Sequence, residues 1–69
     1  MIDLKHRLAQ TRHSLRRRET EFLEAQQEAA RFPRSTVVQT RLKRKRESVS
    51  YLRTRESRLV RELRDFARA

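Results

Sequence analysis

A single proline, Pro33, stands close to the midpoint of a 69-residue chain that contains no glycine. Proline has no amide hydrogen, and it disfavours the α conformation of the residue before it, which here is Phe32. A helix that approaches from the N-terminal side therefore has to end near Arg31. The remainder of the chain is rich in helix-forming residues, so this break predicts two helices joined by a short turn.

Polar residues with helix-capping side chains stand where the two helices would begin. Asp3 is a candidate N-cap for the first helix, and Ser35 or Thr36 can cap the second. Thr36-Val37-Val38-Gln39 also has the spacing of a capping box. We therefore expect one domain over residues 1–69, built from a helix at about 4–31, a Pro turn at 32–35 and a helix at about 36–67.

Both halves of the chain carry a heptad pattern, in which core positions recur at alternating spacings of four and three. We call these positions the seam. In the first half the seam is Leu4, Leu8, Thr11, Leu15, Arg18, Phe22, Ala25, Ala29 and Phe32. In the second half it is Val38, Leu42, Lys45, Val49, Leu52, Glu56, Leu59, Leu63 and Phe66. No strand-like alternation competes with this pattern, so the predicted fold class is all-α.

The two seams match when the chain folds back on itself at the proline. Residues whose numbers sum to 67 then become neighbours, for example Leu8 with Leu59 and Thr11 with Glu56. The centre of this register falls on the turn, which favours an antiparallel helical hairpin. Charge agrees with this register, because the glutamates of the first helix, Glu19, Glu21, Glu24 and Glu28, lie level with the basic segment 41–46.

The four polar seam residues, Thr11, Arg18, Lys45 and Glu56, allow two interpretations. Their side chains can extend out of the seam and cover neighbouring carbon atoms. Alternatively, they disfavour other helix registers at a cost in stability.

A second apolar row on the first helix, formed by Ile2, Ala9, Leu23 and Ala30, suggests self-association. Val37 and Val60 add apolar area on the second helix. Because a lone hairpin has a thin core, we expect two hairpins to pair as a homodimeric four-helix bundle. Scattered surface residues are the alternative.

The charge of the chain is strongly basic, with nineteen Lys and Arg against nine Asp and Glu and a net charge of +10. Sixteen of the cations are Arg, whose planar fork fits phosphate and carboxylate groups bidentately. We therefore expect a polyanion partner, with an ordinary solvated helix face as the alternative. The candidate binding residues are Arg41, Lys43, Arg44, Arg46, Tyr51, Arg53, Arg55, Arg58 and Arg61 on the second helix, with Arg16 and Arg17 on the first.

Signals of catalysis are nearly absent from the sequence. His6 and His13 are seven residues apart, whereas two metal ligands on one helix usually stand four apart. There is no Cys for a zinc site and no Gly for a phosphate-binding loop. We therefore expect no enzyme activity, no cofactor and no metal.

The composition favours a duplex as the polyanion. Single-strand binding uses exposed aromatic side chains. Only Tyr51 is expected to be exposed, and it lies among the arginines of the second helix, which we call the Arg stripe. Base reading commonly uses Asn or Gln, but the chain has no Asn and the second helix has only Gln39. A-form RNA is recognised largely through its shape, phosphates and 2′-hydroxyl groups. We therefore expect non-catalytic binding to a duplex backbone, with double-stranded RNA preferred over DNA.

Basic helical hairpins of this size resemble two groups of proteins in architecture and charge. One is the nodavirus-type suppressors of RNA silencing, whose paired hairpins lie along duplex RNA, and the resemblance implies this role. The other is the small hairpin protein of the large ribosomal subunit, whose turn contains a glycine that this chain lacks. The segment from Pro33 to Arg46 is also similar to small bacterial coiled-coil hairpins. No motif carries over residue by residue.

Two other classes of function remain open at the level of sequence. The Arg-rich face can bind an acidic protein, which would make the chain a coiled-coil adaptor or assembly subunit. Binding to an anionic lipid surface is the less favoured hypothesis, because bulky apolar residues are few.

No apolar run approaches the length of a membrane span, and the first residues do not form a signal peptide. We therefore expect an intracellular, cytoplasmic location, in a host cell if the chain is viral.

Overall fold

A computed structural model describes residues 3–68 of the chain. These residues form two helices, α1 (Leu4–Arg31) and α2 (Thr36–Arg68), which pack against each other as an antiparallel hairpin. The molecule is a rod of 53 × 16 × 15 Å. The predicted all-α hairpin is thus confirmed, and the helix bounds lie within one residue of those expected from the proline and the caps.

The turn ends α1 as the proline requires. The backbone of Phe32 leaves the helical conformation, with φ −125° and ψ 64°, while its amide still donates to the carbonyl oxygen of Glu28 at 3.0 Å. The amide of Ser35 then donates to the carbonyl oxygen of Phe32 at 3.1 Å. This short turn reverses the chain direction within four residues.

Side-chain caps begin both helices. The amide of Lys5 donates to Oδ1 of Asp3 at 3.1 Å, as expected. At α2 the amide of Val38 donates to Oγ of Ser35 at 3.3 Å, so Ser35 is the N-cap. The capping box predicted from Thr36 to Gln39 is wrong, because Thr36 is already the first residue of the helix and the residue three after the true cap is Val38.

The core consists entirely of seam residues. The buried side chains are Leu8, Thr11, Leu15, Ala25, Ala29, Val38, Val49 and Leu59. Val49 is the most enclosed of them, at 2% exposure. Leu4, Leu42, Leu52 and Leu63 are half-buried at the margins of the same stripe. The heptad spacing therefore places the predicted side chains between the helices.

The contacts that the polar seam residues Thr11, Lys45 and Glu56 make with the other helix agree with the predicted register to within one residue. Thr11, whose expected partner is Glu56, accepts a hydrogen bond from Nε of Arg55 at 3.4 Å. Lys45, expected opposite Phe22, donates from Nζ to Oε2 of Glu21 at 3.1 Å. A turn centred on the proline is therefore compatible with full pairing of the two seams.

Arg18 follows the first interpretation of the polar seam residues, because its side chain leaves the seam and its guanidinium pairs with Glu21 one turn away on the same helix, at 3.1 Å. Two seam predictions are wrong. Phe32 is 56% exposed, because its backbone has already left the helical path. Phe66 is 76% exposed, since α1 begins at Leu4 and has no helical turn opposite Phe66 in this register.

The second apolar row lies on the surface of the hairpin. Ala9, Leu23 and Ala30 are exposed, with Leu23 at 55%, and Val37 is exposed at the start of α2. Val60 is half-buried, and Ile2 lies outside the described residues. Neither described helix has an apolar stretch long enough to cross a lipid bilayer.

The difference between core and surface leucines gives a direct test of the fold. Replacing buried Leu59 by Ala removes packed atoms and leaves a cavity, so we expect a loss of about 2–5 kcal/mol in the free energy of unfolding. In the monomeric hairpin, at low salt and low protein concentration, the same change at exposed Leu23 should stay within about 0.5 kcal/mol. Urea unfolding followed by circular dichroism measures both. An equal loss at both positions would contradict the exposure of Leu23.

Candidate nucleic-acid interface

One flank of α2 carries five of the candidate binding residues singled out from the sequence, together with Ser48. They recur at spacings of three and four and are Arg41, Arg44, Ser48, Tyr51, Arg55 and Arg58. All except the half-buried Ser48 are exposed. Tyr51 and Arg55 line a groove between the helices together with Arg7, Gln10 and Ser14 of α1. We call this flank, with the neighbouring residues of α1, the groove side.

The opposite flank of α2 is also basic, and we call it the far side. Its cations are Lys43, Arg46, Arg53 and Arg64, all exposed. Arg64 and Arg61 line a second shallow depression, which α1 borders with Arg12. Helical spacing assigns the two remaining predicted residues to different sides. Arg16 follows Arg12 by four and lies on the far side, whereas Arg17 follows Ser14 by three and lies on the groove side.

Ion pairs between the helices engage carboxylates of both. Arg41 Nη1 lies 2.9 Å from Oε1 of Glu28, and Lys45 Nζ lies 3.1 Å from Oε2 of Glu21. Arg53 Nε and Oε1 of Glu19 are 3.7 Å apart. In the reverse direction, Arg12 Nε of α1 lies 3.1 Å from Oε2 of Glu56. Each exposed pair contributes about 0–1 kcal/mol, so their main effect is to favour this register.

Most of the predicted binding residues are not engaged in this way. Arg41 and Arg53 are paired with carboxylates of α1, and Arg55 donates to the hydroxyl of Thr11. Within residues 3–68, no carboxylate lies within 4.0 Å of the others, which are Arg16, Arg17, Lys43, Arg44, Arg46, Arg58 and Arg61. The predicted residues therefore do not form one patch. They line both flanks and the outer face of α2.

Residues of α1 complete the groove, and they were not among the candidates. Arg7, Gln10 and Ser14 line it opposite Tyr51 and Arg55. A sequence signal exists for them, since their spacings of three and four put them in one row next to the seam. The fold-back register also places this row level with residues 53–60, at the C-terminal part of the basic flank of α2.

The aromatic residues differ in part from the expectation. Tyr51 is 64% exposed within the Arg stripe, as predicted. Phe32 and Phe66 are exposed as well, so the argument that the chain has too few exposed aromatic rings to stack on single-stranded bases is weaker than the sequence indicated. Those two rings lie at the turn and near the end of α2, away from the middle of the basic flanks. Tyr51 is therefore the aromatic residue positioned among the arginines.

His6 and His13 are exposed on the outer face of α1 and line a shallow depression with Ala9, Gln10 and Ser14. Over residues 3–68 no group of three His, Cys, Asp or Glu side chains is arranged to hold a metal ion.

Among the carboxyl groups of residues 3–68, Glu21 is the one whose pKa departs clearly from its ordinary value. Hydrogen bonds from Lys45 and then from Arg18 favour the charged form and lower the pKa of Glu21 below its ordinary value. A lowered pKa in the folded state means that the folded state holds the proton less tightly than the unfolded chain does. Glu21 therefore adds stability at pH values above its unfolded pKa, and this contribution is lost as the pH falls through the lower folded pKa.

This linkage predicts a pH-dependent effect of the Glu21→Gln substitution. At pH 7 the variant should have a lower Tm than the wild type, because both cations lose a charged partner. The difference should shrink as the pH falls below about 4.3, the ordinary pKa of glutamate. Thermal unfolding across pH 2–7 measures this, with Glu24→Gln as the control for loss of one negative charge. An effect of equal size at all pH values, or one matched by the control, would contradict the assignment.

Comparison of the chain with known protein families, curated proteins and solved structures found no significant match. Its function therefore has to follow from its own contacts and charges.

Proposed function

We propose that this hairpin is a non-catalytic nucleic-acid-binding protein that contacts the phosphate backbone of a duplex, with double-stranded RNA preferred. The observation that carries the proposal is the number of cations left without a carboxylate partner. Within residues 3–68, five of the nineteen Lys and Arg side chains lie within 4.0 Å of a carboxylate, and the other fourteen do not. Phosphate groups would neutralise this excess.

The shape of the molecule supports a backbone-tracking mode. A rod 53 Å long matches roughly one and a half turns of duplex, at about 34 Å per turn of B-form DNA. The cations on both flanks of α2 can then contact phosphates on either side of one groove. Thr54 on the outer face and Ser50 and Ser57 on the far side have short polar side chains, which allow a close approach.

Duplex RNA suits this mode better than DNA. The minor groove of A-form RNA is wide and shallow and presents 2′-hydroxyl groups, which short donors and Arg can contact. The mechanism we propose is coating or sequestration of the duplex, without a chemical step. If the duplex is a small RNA, suppression of RNA silencing is the corresponding biology, and the site of action is the cytoplasm, in a host cell if the chain is viral.

Fluorescence anisotropy with a labelled RNA duplex of about 20 base pairs tests this proposal. We expect submicromolar binding that weakens steeply with salt, because each neutralised phosphate releases counterions. Matched duplex DNA and single-stranded RNA should bind more weakly. Equal and weak binding of all three would show only generic charge attraction and would reject the proposal.

A charge-reversal variant locates the interface. Changing Arg44, Arg55 and Arg58 to Glu should abolish duplex binding, because three cations that contact phosphates become anions that repel them. Loss of three phosphate contacts alone would lower the slope of log affinity against log salt concentration by about three. The matched control changes Arg31, Arg34 and Arg68 to Glu, which alters the net charge equally but at the ends of the rod. Helicity and oligomeric state should persist in both variants. An equal loss of binding in both would contradict a role for the α2 flanks.

The second candidate function is a coiled-coil adaptor that binds an acidic protein. Its supporting observation is that Leu23 and Val37 expose apolar surface on a hairpin that is also rich in Arg, a combination found in protein interfaces. Failure of assembly in the α2 charge-reversal variant, with no duplex binding by the wild type, would favour this function.

We further propose that two hairpins pair through the apolar row of α1 to form a four-helix bundle. The exposed row of Ala9, Leu23 and Ala30 has heptad spacing, and Arg16 occupies its remaining position. Burial of this row would add to a core of eight side chains. Because each chain carries a charge of +10, repulsion opposes pairing, and salt should strengthen it.

Sedimentation equilibrium tests this pairing. We expect a mass twice that of the 8.4 kDa chain, with a dissociation constant that falls as salt is raised. Leu23→Glu should shift the equilibrium to the monomer, whereas Gln27→Glu, which adds the same charge on the outer row of α1, should not. A monomeric wild type at high salt would rule out the bundle.

A further inference from the structure

The groove between the helices is rich in hydrogen-bond donors and has no carboxylate in its lining. Its lining residues are Arg7, Gln10, Thr11 and Ser14 of α1 and Tyr51, Leu52 and Arg55 of α2. Two guanidinium groups, a carboxamide and three hydroxyls therefore surround one opening. The acidic residues of the groove side, such as Glu21, Glu28 and Glu62, lie nearer the turn or nearer the end of α2. This composition fits an anion.

Thr11 is the least expected of these residues, because it is a polar side chain in the seam and is only 5% exposed. Its Oγ1 donates to the carbonyl oxygen of Arg7 at 2.8 Å. The same oxygen accepts a hydrogen bond from Nε of Arg55 at 3.4 Å. A hydroxyl has one proton and two lone pairs, so donation to Arg7 leaves lone pairs available to Arg55.

This contact restrains Arg55 at the edge of the groove. The bond uses Nε of the guanidinium and leaves both terminal nitrogens to bind something else. Long Arg side chains lose rotamer freedom when they bind a ligand, and a side chain that is already restrained loses less. Arg58 and Arg61, the next cations along α2, form no hydrogen bond or ion pair within the described chain. Arg55 therefore differs from Arg58 of the same flank, which is unrestrained, and from Arg41, whose guanidinium is already paired with the carboxylate of Glu28.

We propose that this groove is a phosphate site in which the terminal nitrogens of Arg55 bind one phosphate group and Arg7 neutralises it from α1. Thr11 acts as a positioning residue, because it touches Arg55 and not the phosphate. The hydroxyls of Ser14 and Tyr51 supply further donors. This inference rests on the proposed function and deepens it, since it assigns one contact point and includes α1 in the interface.

A double-mutant cycle tests the coupling between Thr11 and Arg55. Thr11→Val removes the hydroxyl but keeps a branched side chain in the seam, so the unfolding midpoint should be unchanged or higher. Affinity for duplex RNA should nevertheless fall about three- to tenfold, the usual effect of one hydrogen bond. Arg55→Lys keeps the charge and loses the fork, and we expect a similar loss. The double variant should be no weaker than Arg55→Lys alone.

Arg68→Lys is the matched control, because it makes the same exchange at the end of α2, away from the groove, and should leave affinity unchanged. NMR of the arginine Nε–H groups gives a readout that a structural role of Thr11 would not explain. Added duplex should shift the signal of Arg55 before that of Arg61, and Thr11→Val should remove this preference. A duplex without 5′-phosphates should shift Arg55 equally if the ligand is a backbone phosphodiester, whereas dependence on the 5′-phosphate would assign a terminal phosphate.

The outcomes separate this inference from the proposed function. If the wild type binds duplex RNA but Thr11→Val binds equally well, or if the two losses simply add, the phosphate site is wrong and the proposed function stands. If the wild type binds no duplex, both fail. Loss of affinity together with a lower unfolding midpoint in Thr11→Val would show a structural role and would overturn the positioning role.

Discussion

The short turn at Pro33 is the constraint on which the rest of the molecule depends. Phe32 leaves the helical path, the amide of Ser35 bonds back to it, and the side chain of Ser35 then caps α2. A link of this length leaves little freedom in how the helices align. Slipping α2 by one residue would turn every side chain by about 100° and move Val49 and Leu59 out of the core. The turn therefore sets which residues become buried.

The same alignment separates the charges. It places Glu19, Glu21 and Glu28 within reach of cations on α2, so much of the negative charge of α1 is neutralised inside the hairpin. The cations that remain point away from the helix interface along both flanks. Four carboxylates, Glu19, Glu21, Glu28 and Glu56, are paired between the helices, and the excess of Arg leaves most cations along the flanks of the described helices without a carboxylate. Stability and the proposed polyanion binding thus draw on one arrangement of charge.

The hairpin could be predicted from the sequence because its causes are local or periodic. Proline at 33 ends the helix before it. Helical periodicity places Leu8 and Leu15 on one face of α1 and Leu59 on the apolar face of α2, whatever each helix packs against. The partner of Arg18 and the bond from Arg55 to Thr11 could not be predicted in this way. Long side chains reach several groups within one turn, and the choice depends on positions in space. The polyanion itself stays a prediction, because guanidinium binds carboxylate and phosphate with the same fork.

The order in which the two seams come together follows from the distance along the chain. Arg41 and Glu28 are 13 residues apart, whereas Arg55 and Thr11 are 44 apart. Closing the longer loop costs about 1 kcal/mol more in chain entropy. Pairing that starts at the turn therefore reaches the groove late, and fraying from the open end separates the groove before the layers near the turn. A ligand bound there by both helices would hold together the half of the hairpin that lies farther from the turn.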